Sequence, residues 1–251
     1  MVLYEYPLNE SIRTMLRLEH LFGRLDTLAG RDDALDHHFA LVTIFEIVEV
    51  AARADLKSDL FKELDRHKAQ LLSYRGNPNI SEGALDEVIG RISHAHAGLN
   101  QLNGKAGHTL ANNEWLTSIR SRIGIPGGTC EFDLPAYYAW QQLSPGRRRA
   151  DLSRWIETLV PLAEALNVLL RLLRDSGVPH KVAALGGQYQ QSLPQGRTYQ
   201  LLRLRMEAGL ELVPEITGHR LMVSVRMMKA DTEGRLKSHT ADVNFDLALC
   251  T

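Results

Sequence analysis

The apolar residues of this 251-residue chain change period once, near residue 178, and that change restricts the fold more than any motif. Before it they recur every three or four positions, the spacing of amphipathic helices; after it they alternate, the spacing of half-buried strands. The exception is the start. Residues 2–6, VLYEY, set Val2, Tyr4 and Tyr6 against Leu3 and Glu5 and end at Pro7, which reads as a short strand. A lone strand must pair with a sheet formed elsewhere, and the other strand-like material lies at the far end of the chain. Helices followed by strands, segregated rather than interleaved, define an α+β fold. The expected organisation is a helical domain over 8–178 and a smaller, mostly antiparallel β domain built from residues 2–6 and 179–251.

In the helical part, Asn9 is placed to cap a helix from 10 to 28 with Ile12, Met15, Leu16, Leu18, Phe22 and Leu25 on its apolar side. Asp32 or Asp33 caps a second, carrying Leu35, Phe39, Val42, Phe45 and Val48. A third spans 56–75 and stops at Gly76-Asn77-Pro78; Ser81 opens a fourth, and a short one holds Trp115, Leu116 and Ile119. Ser144-Pro145 opens the longest, expected to reach residue 176 before Gly177. In it Leu152, Trp155, Leu159, Leu162, Leu166, Leu169 and Leu173 step by 3, 4, 3, 4, 3, 4, an a/d seam that fits either the core of a bundle or a second subunit. Pro161 should bend this helix. Beyond it, strands are expected at 181–191, 199–207, 219–229 and 240–250.

The formal net charge of −1 gives the whole molecule no attraction to polyanions. Residues 176–251 carry +2, and Arg203, Arg205, Arg220 and Arg226 share the polar parity of their strands, so they could line one sheet face. That face is either solvated and cross-paired or a binding surface. Arg147-Arg148-Arg149 reads as the exposed first turn of the long helix. A single-strand nucleic-acid reader needs exposed aromatics for stacking, and these strands offer Arg and Met instead. The opening residues lack the pattern of a signal peptide, no apolar run approaches the roughly 20 residues that span a bilayer, and the two cysteines, Cys130 and Cys250, suit a reducing setting. A soluble cytoplasmic protein is expected.

The densest turn signal is RIGIPGGTCEFDLPAYYAW, residues 122–140. Pro126-Gly127 fits the centre of a type II turn, Gly128 permits close backbone approach, and Asp133 ahead of Leu134-Pro135 is placed to cap a helix. Cys130 has two readings. It fills the core with Phe132, or it is the nucleophile of a cysteine-dependent hydrolase, which needs a histidine for its proton and a donor for the oxyanion. No nucleophile elbow, Walker loop or dinucleotide fingerprint occurs. His37-His38 and His94-x-His96 are badly spaced to share one metal on a helix, and Glu46 and Glu49 are expected in ordinary surface pairs, Glu49 with Arg53. No metal or cofactor is expected.

Four segments, VLYEYPLNESIRTMLRLEHLF, LFKELDRHKAQL, IPGGTCEFDLPAYYAW and ITGHRLMVSVRMM, with FDLALC at the end, together resemble the ZapD family of bacterial division proteins. The combination of P-L-N-E, K-E-L-D-R, I-P-G-G-x-C-x-F-D-L-P and I-x-G-H spans nearly the whole chain. The resemblance implies a non-enzymatic homodimer, acting in the cytoplasm at mid-cell, that binds the C-terminal tail of the tubulin-like protein FtsZ and joins protofilaments through two tail sites. It also implies basic contact residues near the junction of two domains, and Arg53 in VAARADL and Arg226 in VSVRMM match such places. Where relatives can carry a further basic residue this chain has Met222, with Arg220 nearby; Arg203 and Arg205 complete the candidate set.

Overall fold

The computed structural model describes residues 1–52, 56–102 and 104–251. The chain divides into two compact units, Arg17–Leu169 and Met1–Leu16 with Leu170–Thr251, the division falling inside two helices. The helices are α1 (Glu10–Ala29), α2 (Ala34–Ala51), α3 (Leu56–Leu72), α4 (Glu82–Gln101), α5 (His108–Ala111), α6 (Glu114–Ile123), α7 (Pro135–Gln141), α8 (Pro145–Glu157) and α9 (Val160–Asp175). The strands are β1 (Val2–Pro7), β2 (His180–Ala184), β3 (Gln188–Ser192), β4 (Leu201–Met206), β5 (Leu212–His219), β6 (Met222–Ala230), β7 (Leu236–Ser238) and β8 (Val243–Cys250). The fold is α+β, with the N-terminal strand built into a C-terminal antiparallel sheet.

Local chemistry sets most helix starts. The Asn9 carboxamide accepts from Ile12 N at 2.8 Å, the Asp33 carboxylate from Leu35 N at 2.7 Å and the Ser81 hydroxyl from Ala84 N at 3.4 Å, each satisfying a donor the helix leaves open. The expected 32-residue helix is instead two. The chain breaks at Thr158-Leu159, and Pro161 falls in the first turn of α9, where a missing N–H costs nothing. The seam survives the break: Leu152, Trp155, Leu159, Leu162, Leu166, Leu169 and Leu173 are all buried within this one chain. A fully buried leucine is worth about 1.5–3 kcal/mol, so the seam stabilises the monomer and offers no surface to a second subunit. Packed beside it, Trp115 stacks on Trp155 at 5.3 Å and meets Trp140 edge-on at 5.6 Å.

On α2, Phe45 and Val48 are buried as expected, but the first turns differ from expectation. The helix buries His37, Leu41, Ile44 and Ile47, leaving Leu35 61% and Phe39 49% exposed. A helix that is apolar nearly all round carries no periodic signal for which side faces in. The loop expected before Trp115 contains the single turn α5, entered through Gly107 at φ 80°, where an added Cβ would lie 2.7 Å from Val48 Cγ2.

In the β unit, strand order is β1-β4-β8-β2 in one sheet and β3-β6-β5 in the other, with β7 also on β6, every pairing antiparallel. The expected strand at 181–191 is two strands joined through Gly186 and Gly187, both at positive φ. The strand β5 was not expected because Pro214 and Gly218 resemble a loop; it lies at the end of its sheet, where proline is tolerated. Inward-facing Leu202, Leu204, Val223, Val225, Met227, Phe245 and Leu247 from both sheets form one core.

Candidate functional site

The strand arginines expected on one face are divided between two sheets. Arg203 and Arg205 lie on β4 and Arg226 on β6, while Arg220 occupies the tight turn between β5 and β6, where His219 pairs with Met222. Shared parity within separate strands does not place residues in one sheet, which depends on pairing that periodicity leaves open.

Their surroundings differ as well. Arg203 sits opposite Glu5 across the β1–β4 ladder and donates to Glu5 Oε1 at 3.0 Å. Arg174, from the end of α9, closes on the same carboxylate with two bonds of 2.9 and 2.6 Å. This triad is mostly buried, and Arg203 belongs to the architecture of the sheet. Arg205 is exposed, in register with Leu3 and Asp246. Arg226 is exposed on the outer face of the second sheet and holds Glu215 across the ladder at 2.6 and 3.1 Å. Arg220 is exposed at the turn, and Met222 meets the Gln190 amide on the same outer face. Arg53, and with it the expected pair to Glu49, lies outside the described residues; Glu49 itself is 3.7 Å from Arg120, and Glu46 pairs with Arg24.

The corner at 122–140 is a turn structure held by its own backbone. Gly127 has φ 70°, and Gly128 N donates to Ile125 O at 2.9 Å, closing the turn around Pro126-Gly127. A Cβ on Gly128 would come 2.7 Å from Arg122 O. Two details depart from expectation. Phe132 is 78% exposed rather than in the core, and the residue before α7 is Leu134, so Asp133 does not cap it. Pro135 in the first turn already removes one of the donors a cap would serve. Cys130 is half-buried, its N–H and C=O engaged in the turn. Among the described residues no hydrogen bond joins its thiol to a histidine.

The histidines are structural in two ways. His94 lies 3.6 Å from Glu164 and His96 3.4 Å from Asp65, both at the surface, and among the described residues no group of three potential ligands converges. His38 shares a 2.7 Å hydrogen bond with the Tyr137 hydroxyl, and burial pushes the histidine down and the tyrosine up from their ordinary pKa values. His37 is fully buried and bonded to Arg148, the middle residue of the run read as solvated. A 5% exposed arginine inside Arg-Arg-Arg leaves no signal in composition or periodicity; two of its partners, His37 and Asp32, lie 111 and 116 residues away.

Two open grooves lie within the helical unit. One, of about 490 Å³, is lined by Leu56, Leu60, Phe61, Leu99 and Leu102 with Lys57 and Lys105 at its rim. Lys57 donates to Leu102 O at 2.6 Å and Lys105 to Ala52 O at 2.8 Å, so each ammonium serves the carbonyl end of a helix. The other, of about 1040 Å³, runs between α1 and the α8–α9 pair past Phe22, Asp26, Arg154 and Val160. No helix among the described residues is long and apolar enough to cross a membrane.

The sequence profile of the ZapD family, described as "Cell division protein", matches residues 16–226. Two relatives carry the name "Cell division protein ZapD", from Ralstonia pickettii (strain 12J) and Ralstonia nicotianae (strain ATCC BAA-1114 / GMI1000). Each is 54% identical over 251 residues, covering 100% of this chain and 99% of the relative. That name is not an enzyme's. The chain belongs to the ZapD family of cell division proteins.

Proposed function

We propose that this protein is a non-enzymatic adaptor of the division ring. It binds the C-terminal tail of FtsZ and, as a homodimer holding two tails, crosslinks and bundles FtsZ protofilaments in the cytoplasm at mid-cell. The observation that carries this reading is the end-to-end match to relatives named as cell division proteins. The tail contacts are Arg226 and Arg220, exposed on β6 and at its turn, together with Arg53, which the family resemblance contributes; Arg205 is exposed on the other sheet. Arg203 also lies on the other sheet, held by Glu5, and is not among the exposed contacts. The Arg226–Glu215 pair is exposed on both sides, so releasing it to an incoming carboxylate costs no more than about 1 kcal/mol.

Bivalency supplies the function. A weak single site becomes effective when a second tail on the same filament lattice is held at high local concentration. Two copies related by a two-fold axis present two equivalent sites, and their interface uses a face other than the buried 152–173 seam. Binding of a fluorescent FtsZ tail peptide, followed by anisotropy, tests the site. Affinity should fall as salt rises and fall at least fivefold in Arg226→Glu, while thermal unfolding stays unchanged. Equal affinity in that variant and in Arg220→Glu would remove both residues from the site.

A further inference from the structure

His37, in the first turn of α2, has both ring nitrogens engaged. Nε2 lies 2.7 Å from Arg31 O, and a carbonyl only accepts, so Nε2 carries the hydrogen. Nδ1 is then a bare acceptor, 2.9 Å from Arg148 Nε, which only donates. The rest of the guanidinium binds backbone: Nη1 donates to Gln141 O at 2.9 Å and to Leu143 O, and Nη2 donates to Asp32 O. The Asp32 carboxylate pairs with Arg149 instead. Arg148 thus carries a buried charge met by carbonyl dipoles and one imidazole lone pair, with no carboxylate bonded to it among the described residues. These contacts join three places: the loop before α2, the end of α7 and the first turn of α8.

We propose that His37 and Arg148 form an acid-sensitive latch that holds the corner between α7 and α8 to the start of α2. A proton on Nδ1 turns the acceptor into a donor facing the Arg148 N–H and sets two cations side by side. The guanidinium then withdraws, leaving the carbonyls of Gln141, Leu143 and Asp32 without their donor. Groups on every side bear on the proton. Burial opposes it most, and Arg148 from α8 opposes it too; the bond to Arg31 O, Asp36 and Asp33 favour it. Arg149 is committed to Asp32, and α7 contributes Trp140, whose ring centre is 6.4 Å away, and Tyr137, which is neutral.

The balance holds His37 below the ordinary histidine value of about 6.5. The unfolded chain therefore takes up a proton that the folded chain refuses. The stability this contributes is complete above about pH 6.5 and declines as pH falls below it.

Tryptophan fluorescence and near-UV circular dichroism of the full chain between pH 8 and 4.5 read the latch, because the Trp140 ring lies 6.4 Å from that of His37 and stacks on Tyr137. His37→Gln is the informative variant. Its amide N–H can donate to Arg31 O and its oxygen can accept from Arg148, and nothing in it titrates. The wild type should show a transition below pH 6.5 that His37→Gln loses or moves down by at least one pH unit, while His38→Gln keeps it. Nitrogen-15 spectra of the wild-type histidines should show His37 as the Nε2–H tautomer, titrating below 6.5. A transition of the same midpoint in His37→Gln overturns the latch. So does a wild-type His37 that is Nδ1–H or titrates at 6.5 or above, a result that stands even if the variant fails to fold.

Discussion

Each unit of this molecule buries arginine, and the two do it in opposite ways. In the β unit, Glu5 lies between Arg174 and Arg203, two cations on one carboxylate, with Glu5 and Arg203 fixed opposite each other by the β1–β4 ladder and Arg174 supplied by α9. In the helical unit, Arg148 is bonded to carbonyls and a neutral imidazole, and it is what ties separate loops together. The first arrangement is charge against charge, so its strength depends on ionisation of the acid. The second is charge against dipoles, so it depends on a neighbour staying uncharged. One is a reinforcement of a sheet; the other is a condition for the corner to exist.

If that contrast is right, Arg148→Met has the largest effect, because it strands three part-buried carbonyls and the buried His37 lone pair. It should cost about 3 kcal/mol in urea unfolding followed by tryptophan fluorescence; a loss below about 1 kcal/mol would make the loops self-supporting. Glu5→Gln comes next. It leaves two arginines facing each other, but all three groups keep partial solvent access, so the loss should be about 1–2 kcal/mol, read by the same unfolding curve. A cost equal to that of Arg148→Met would erase the distinction. Asp33→Ala removes only the cap of α2 and should cost about 1 kcal/mol, seen as a lowered thermal midpoint. Arg226→Glu should be smallest for stability, under about 1 kcal/mol, since its pair with Glu215 is exposed, while it lowers affinity for the tail peptide.

Much of the frame was legible because it rests on local chemistry. The caps Asn9, Asp33 and Ser81 and the turn at Gly127 are written in single residues, and the change of period announced helices before strands. The meeting of the chain ends in one sheet followed from the logic that β1 needs a partner. What stayed hidden depends on distant pairing. Two sheets, not one, separate Arg226 from Arg203, and no single strand records which sheet it joins. The inner side of α2 could not be phased because Leu35 and Phe39 are as apolar as the residues it buries. Arg148 looked like solvated charge because its partners are carbonyls, which every residue has. Phe132, within the turn-rich stretch 122–140, faces outward although its type suggested the core.

The contrast also orders the two roles of arginine in the proposed mechanism. Arg148, Arg174 and Arg203, all largely buried, shape the units; the exposed Arg220 and Arg226 are the proposed contacts of the tail. In that proposal, crosslinking needs two such surfaces on one dimer.

Low-speed sedimentation of assembled FtsZ with this protein tests that claim most directly. The account predicts that full-length FtsZ polymers pellet as bundles in proportion to added protein, and that polymers lacking the C-terminal tail stay in the supernatant. Full-length polymers that remain unbundled at every ratio, or tailless polymers that bundle equally well, would contradict it.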